Sequence, residues 1–170
     1  MNIRPSGHSN CATARPRAQT VFMGESNAVF EIVIPVTPDD IDGNGHVNNL
    51  AYLRWAQEVA AAHWQAFAPA PDRSKLSWII IRHEIDYKLP AYLGDEVAAS
   101  TWVGAASRFK FERFTEIRRA RDHTLLAKAR TIWCAVDVET RRPALVSDEL
   151  RARFSVPGIH EPPAEDGIPG

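Results

Sequence analysis

At 170 residues, with 45% hydrophobic and 24% charged side chains, the chain is long enough for one real core and has the composition of a soluble single domain. A formal net charge of -1 gives no global attraction to nucleic acid or an anionic membrane. No apolar run approaches the roughly 20 residues that a membrane helix needs.

Residues 1–27 are rich in Ala, Arg, Ser and Asn and hold no acid before Glu25. With neither an amphipathic face nor an apolar signal core, they read as a disordered N-terminal extension. Met1 and Met23 are both possible starts. Ala28 to Val36 alternates Phe30, Ile32 and Ile34 with Val29, Glu31 and Val33, which predicts a strand that Pro35 and Pro38 end. Next comes a polar loop that brings together Asp39, Asp40, Asp42, Asn44, His46, Asn48 and Asn49, with Gly43 and Gly45 among them. Glycine allows positive φ and close backbone approach, and Asn48 or Asn49 suits the cap of a following helix. That helix is predicted from about Asn49 to about Phe67. Leu50, Leu53, Trp55, Ala56, Val59, Ala60 and Trp64 cover most of its circumference, so it should be largely buried.

Ala68 to Ser74 reads as a connector. Four strands follow: Trp78 to Leu89, with Ile81, His83, Ile85 and Tyr87 on one face, then Asp95 to Val103, Phe109 to Arg118 and Thr124 to Val138. Their short links imply antiparallel neighbours, and one long helix against such a sheet is an α+β two-layer arrangement. Ser147 to Phe154 predicts a short helix with Ser147 as its cap. The Pro- and Gly-containing 157–170 segment reads as a disordered tail, leaving 28–156 as the domain. Cys11 and Cys134 sit in unlike contexts and suggest no disulfide, which fits a reducing cytoplasm. No Cys/His cluster has zinc spacing and no phosphate-binding glycine loop occurs, so neither metal nor cofactor is expected.

The loop is where chemistry concentrates. A capped polar turn would explain the asparagines. Asp42, Asn44 and His46 alternating ahead of a helix N-terminus are more than a turn requires. An acid, an amide and an imidazole there lie beside unpaired N–H groups and partial positive charge, which suits a developing oxyanion. Asp39 and Asp40 read as loop-solvating, although Asp40 is also placed to orient the loop or act on Asp42 through like charge. His63 and His83 read as structural. Trp55, Trp64 and Trp78 are candidates for an apolar pocket or for plain core.

The run Asp42-Gly-Asn44-Gly-His46-Val-Asn-Asn49-Leu-Ala-Tyr52 resembles the signature loop of hotdog-fold thioesterases, both the 4-hydroxybenzoyl-CoA type and the plant acyl-acyl-carrier-protein type. Glu84-Ile-Asp-Tyr87-Lys-Leu-Pro90-Ala-Tyr-Leu-Gly94-Asp95-Glu-Val97 is similar to their second signature. The resemblance spans about residues 28–155 and implies a sheet of about five antiparallel strands wrapped around one long helix, with subunits joined as a homodimer or homotetramer. It implies hydrolysis of an acyl-CoA, with an acyl-carrier-protein thioester as the second choice. Asp42 would be general base or nucleophile, Asn44 and His46 its assistants, and the backbone N–H near Asn49 the polariser of the thioester carbonyl. Tyr52 matches a tyrosine close to the site, and Arg108 and Lys110 are candidates for the phosphates of coenzyme A. The plant enzymes carry a further acid where this chain has Ala91. Hotdog folds also host hydratases, whose loops place a Pro between Asn and His that is absent here, and non-catalytic acyl-binding subunits.

Overall fold

The computed structural model describes residues 19–21 and 29–155. In chain order these form β1 (Gln19–Val21), β2 (Phe30–Pro35), a 3-10 turn (Pro38–Asp40), α1 (Asn49–Phe67), α2 (Ala70–Lys75), β3 (Leu76–Tyr87), β4 (Glu96–Ala106), β5 (Lys110–Arg119), β6 (Leu125–Asp137) and α3 (Asp148–Phe154). The strands make one antiparallel sheet in the order β1-β2-β4-β5-β6-β3.

Alternation along the strands decides which side chains meet the helix. β2 turns Phe30, Ile32 and Ile34 inward, and the paired β4 turns Val97, Ala99, Thr101 and Val103 inward. Against them α1 lays Ala51, Tyr52, Trp55, Ala56, Val59, Ala60, His63 and Trp64, spaced at the period of one helical stripe. Trp55 and Val59 are completely buried. Truncating a tryptophan in such a position costs about 3–5 kcal/mol, so this stripe is what fastens the helix inside the sheet. The curved sheet around one buried helix is the hotdog arrangement that the two motifs imply.

The helix bounds match the prediction, and Asn48 is its cap, accepting the Ala51 N–H through Oδ1 at 3.0 Å. Leu50 departs from it. It lies four and seven residues before Arg54 and Gln57, on the outward stripe, and is 73% exposed. The connector is not irregular throughout, because Ala70–Lys75 forms α2. Pro71 fits in its first turn, where no intrahelical N–H bond is lost. A β-bulge between Ile80 and Arg82 breaks the alternation of β3 and leaves Ile81 48% exposed, while His83, Ile85 and Tyr87 keep one face.

The 1–27 extension is corrected at three residues: Gln19–Val21 pairs with β2 and covers its edge. The rest of that segment and the 157–170 tail lie outside the described residues. At the other end, Ser147 Oγ accepts the Leu150 N–H at 3.1 Å and caps α3 as predicted. α3 buries Leu150 and Phe154, and Phe154 stacks on Trp64.

Candidate active site

Residues 41–47 close a tight loop. Ile41 and Val47 bridge across its neck, the Asp42 N–H donates to His46 O at 3.0 Å, and the Gly45 N–H donates to Asp42 O at 3.1 Å. Gly45 sits at φ 81°, where a side chain would strain the backbone. The Asp42 carboxylate accepts the Asn44 N–H at 2.8 Å on Oδ1, while Asn44 Nδ2 reaches Oδ2 at 3.5 Å. His46 Nδ1 stands 3.8 Å from the same Oδ2, an ion pair only when the ring is protonated. The loop therefore does bring Asp42, Asn44 and His46 together. Asp42 keeps 28% of its side chain exposed, so one face of the carboxylate remains open to water or substrate.

The loop hands directly into α1. Asn48 caps the helix, and Asn49 is exposed in its first turn. Among the described residues, no acceptor is found for the N–H groups of Asn49 and Leu50. Free amides at a helix start, with the dipole behind them, favour a developing negative charge.

Two fastenings hold this end of the molecule. The first is Asp40, which is corrected from a solvating acid to a buried one at 1% exposure. It accepts the Thr37 N–H at 2.9 Å, the Thr37 hydroxyl at 2.8 Å and Arg54 Nη2 at 2.5 Å. Burial by itself would raise its pKa, but the bonds from Arg54 and Thr37 outweigh that and hold the carboxyl below its ordinary range. Its backbone carbonyl also takes the Asn48 N–H at 2.8 Å, so one residue ties the loop to the helix cap. The sequence signal for this was Arg54, fourteen residues on, in the outward stripe of the helix.

The second fastening joins the two sequence motifs. The Val47 N–H donates to Ala91 O at 2.9 Å, and the Ala91 N–H donates to the Tyr52 hydroxyl at 3.0 Å. Tyr52 is buried, which raises its pKa and keeps the phenol protonated. Its ring packs edge-on to Trp55 and Tyr87. The Tyr87 hydroxyl in turn donates to Asn49 O at 3.2 Å. Arg119 holds the second motif from below through Asp95 Oδ2 at 3.3 Å and Pro90 O at 3.0 Å. Ala91, where the plant enzymes have an acid, is fully buried.

Arg108 and Lys110 are not brought to this loop within one chain. They lie at the β4–β5 turn, whereas the loop sits by the start of β4, where Val97 pairs with Arg119. Ten residues of strand separate the two ends, about 30 Å. His83 accepts or donates at Nδ1 with the Thr131 hydroxyl at 2.6 Å, and His63 is buried against Arg113. Among the described residues no group of three or more His, Cys, Asp or Glu side chains could hold a metal ion.

The family model described as the thioesterase-like superfamily matches residues 36–154, from the end of β2 to the end of α3. The chain belongs to the thioesterase-like superfamily. This thioesterase-family chain is 30% identical over 110 residues to an oleoyl-acyl carrier protein thioesterase of Coriandrum sativum, covering 59% of this chain and 30% of that protein. It is 23% identical over 108 residues to a palmitoyl-acyl carrier protein thioesterase of Cuphea hookeriana, covering 62% of this chain and 26% of that one. The matches thus span less than a third of these relatives' lengths. Among solved structures, a predicted thioesterase of Bacillus stearothermophilus superposes with a TM-score of 0.65 at 27% identity, over 75% of this chain and 94% of that one. No helix among the described residues is long and apolar enough to cross a membrane.

Proposed function

We propose that the protein is a thioester hydrolase that cleaves an acyl-CoA to the free acid and coenzyme A. The carrying observation is the accessible Asp42 carboxylate in a glycine-bounded loop immediately before the free N-terminal amides of α1. In this reading the thioester carbonyl oxygen lies against the N–H near Asn49, which stabilises the charge of the tetrahedral intermediate. Asp42 either takes a proton from the attacking water or attacks the carbonyl carbon itself. The C–S bond then breaks, and the thiolate leaves to be protonated. Asn44 holds the carboxylate in its orientation, and His46 lies close enough to respond to its charge. Tyr52 supports the site from beneath through Ala91.

A second reading, an acyl-carrier-protein thioester as substrate, is favoured by the similarity to the two plant proteins. Both substrates present the same thioester to the loop and differ in what lies outside it. Incubation with matched acyl-CoA and acyl-carrier-protein thioesters, with free thiol and enoyl absorbance followed separately, tests the proposal. Thiol release without enoyl change is the expected result. Enoyl change without thiol would mean a hydratase, and neither would mean an acyl-binding subunit.

We further propose a homodimer joined along β3, with a homotetramer as an extension of it. β3 is an edge strand, and Ile79 and Ile81 on it are each 48% exposed. Leu50, Leu89, Tyr92 and Leu93, near the same end of α1 and β3, are also exposed. An apolar, unpaired edge of this kind invites a second strand. In an antiparallel pairing of two β3 strands, the β4–β5 turn of one protomer moves toward the loop of the other. That is the arrangement in which Arg108 and Lys110 could meet coenzyme A phosphates. The setting consistent with a buried, unpaired Cys134 is the cytoplasm.

A further inference from the structure

At the end of α1 away from the loop, a cavity of about 170 Å³ opens between the helix and strands β3, β5 and β6, lined by Ala60, Trp64, Trp78, Phe111, Arg113 and Trp133. Its walls are aromatic: Trp64 and Trp78 meet edge to face at 5.4 Å, and Trp78 packs on Phe111 at 4.7 Å. A cavity of that size takes a ring-sized apolar body.

Its polar side chains are the exposed Gln65 at the rim and the buried Arg113, which carries the one charge on the lining. Arg113 is only 6% exposed, and its Nη1 donates to His63 Nδ1 at 3.0 Å and to Thr101 Oγ1 at 3.2 Å. Arginine can only donate, so His63 Nδ1 is the acceptor and carries no proton. Among the described residues no carboxylate pairs with this guanidinium. Burial without such a partner pushes the Arg113 pKa down to about 10. The indole N–H groups of Trp78 and Trp133 are buried within the walls, so the rings of these residues give the cavity its apolar surface. A buried cation without a counter-ion is costly.

We propose that this cavity binds a carboxylate carried on a compact apolar body, with Arg113 as the residue that selects the charge. One guanidinium balances one carboxylate, whereas a phosphate would bring more charge than the site offsets. The planar fork suits two carboxylate oxygens. The carboxylate is either the far end of the substrate's acyl group or a free acid bound on its own. The first of these rests on the thioesterase reading, and the second does not.

The test uses the full chain and two probes of one shape, phenylacetate and the neutral phenylacetamide, titrated by tryptophan fluorescence because three tryptophans line the cavity. Phenylacetate should bind about tenfold more tightly than phenylacetamide, as expected for a charge-assisted pair. In Arg113→Met the two should fall within about twofold of each other, with phenylacetamide unaffected. Equal binding of the probes by the native protein, or an unchanged preference in Arg113→Met, would overturn the proposal. If Arg113→Met does not fold, Arg113→Lys should weaken phenylacetate at least about threefold and spare phenylacetamide, and no change there overturns it equally. Hydrolysis of glutaryl-CoA against pentanoyl-CoA then separates the two sources. A glutaryl preference that Arg113→Met abolishes assigns the cavity to the acyl end. No such preference, with phenylacetate still bound through Arg113, assigns it to a free acid. If no thioester is cleaved at all, the hydrolase reading fails while the binding result stands.

Discussion

Asp40 and Arg54 meet at 2.5 Å beneath the loop, the carboxylate almost wholly buried and the guanidinium about a third exposed. Two residues further on, Asp42 is open to solvent and bonded only within its own turn. The neighbouring acids therefore differ in setting, one fastening the loop and the other open to solvent, where the proposed function needs it.

Substituting each acid separates these roles. Asp42→Asn should lower kcat at least about a hundredfold, the contribution of a positioned general base, and leave the melting temperature near that of the native protein. Asp40→Asn should instead destabilise the fold by about 1–3 kcal/mol, because it removes the buried carboxylate that accepts from Thr37 and Arg54. Asn44→Ala and His46→Ala should cost less than Asp42→Asn. Steady-state kinetics alongside thermal melts checks this, and a hundredfold loss from Asp40→Asn in a fully stable protein would reverse the assignment.

The same pair sets an acid sensitivity. The folded pKa of Asp40 lies below its unfolded value, so the ionised pair stabilises the protein fully above the ordinary carboxylate pKa. That contribution disappears as pH falls through the lowered folded value. Denaturant melts of the native protein and Asp40→Asn should therefore differ most near neutrality and converge in the acid range below about pH 4. A gap that widens on acidification would contradict the sign.

Tyr52→Phe removes the acceptor of the Ala91 N–H and keeps the ring that packs on Trp55 and Tyr87. A buried N–H left without a partner costs about 1–3 kcal/mol, which is a melting shift of a few degrees in a chain of this length. Because Ala91 also holds Val47, turnover should fall with it, and unchanged stability and turnover together would show that the two motifs are not coupled through this bond.

Along the free edge, Ile79→Lys with Ile81→Glu places charge on β3 without touching the core. Sedimentation should then show monomers where the native chain sediments as a dimer or larger. A native chain that is monomeric at micromolar concentration with full activity would remove the assembly proposal.

At the opposite edge, deleting residues 1–18 spares β1, whereas deleting 1–24 removes it and bares β2. The longer deletion should melt lower and aggregate more readily, because an exposed strand edge pairs with other copies. Light scattering and melting of the two truncated chains would show whether three residues of edge cover matter.

What the sequence alone determined were features written in adjacent residues. The span of α1, the caps Asn48 and Ser147, the four later strands and the clustering of Asp42, Asn44 and His46 follow from periodicity, cap chemistry and glycine, all of which act over a few positions. Two motifs in order also implied the fold. The tertiary structure decided whatever depends on distant partners. Asp40 looked like one more loop acid, because nothing local shows that Arg54 covers it. Leu50 looked buried because hydrophobicity does not say which stripe of a helix faces the sheet. The bulge at Ile81 arises from pairing with β6, and the Gln19–Val21 strand exists through pairing with β2. Arg113 is the clearest case. In sequence it is a cation among strand residues, and only the closing of β5 against α1 and its aromatic neighbours buries it without a counter-ion. Local rules set where elements begin and end, but burial and charge pairing are properties of surfaces that meet only when the chain has folded.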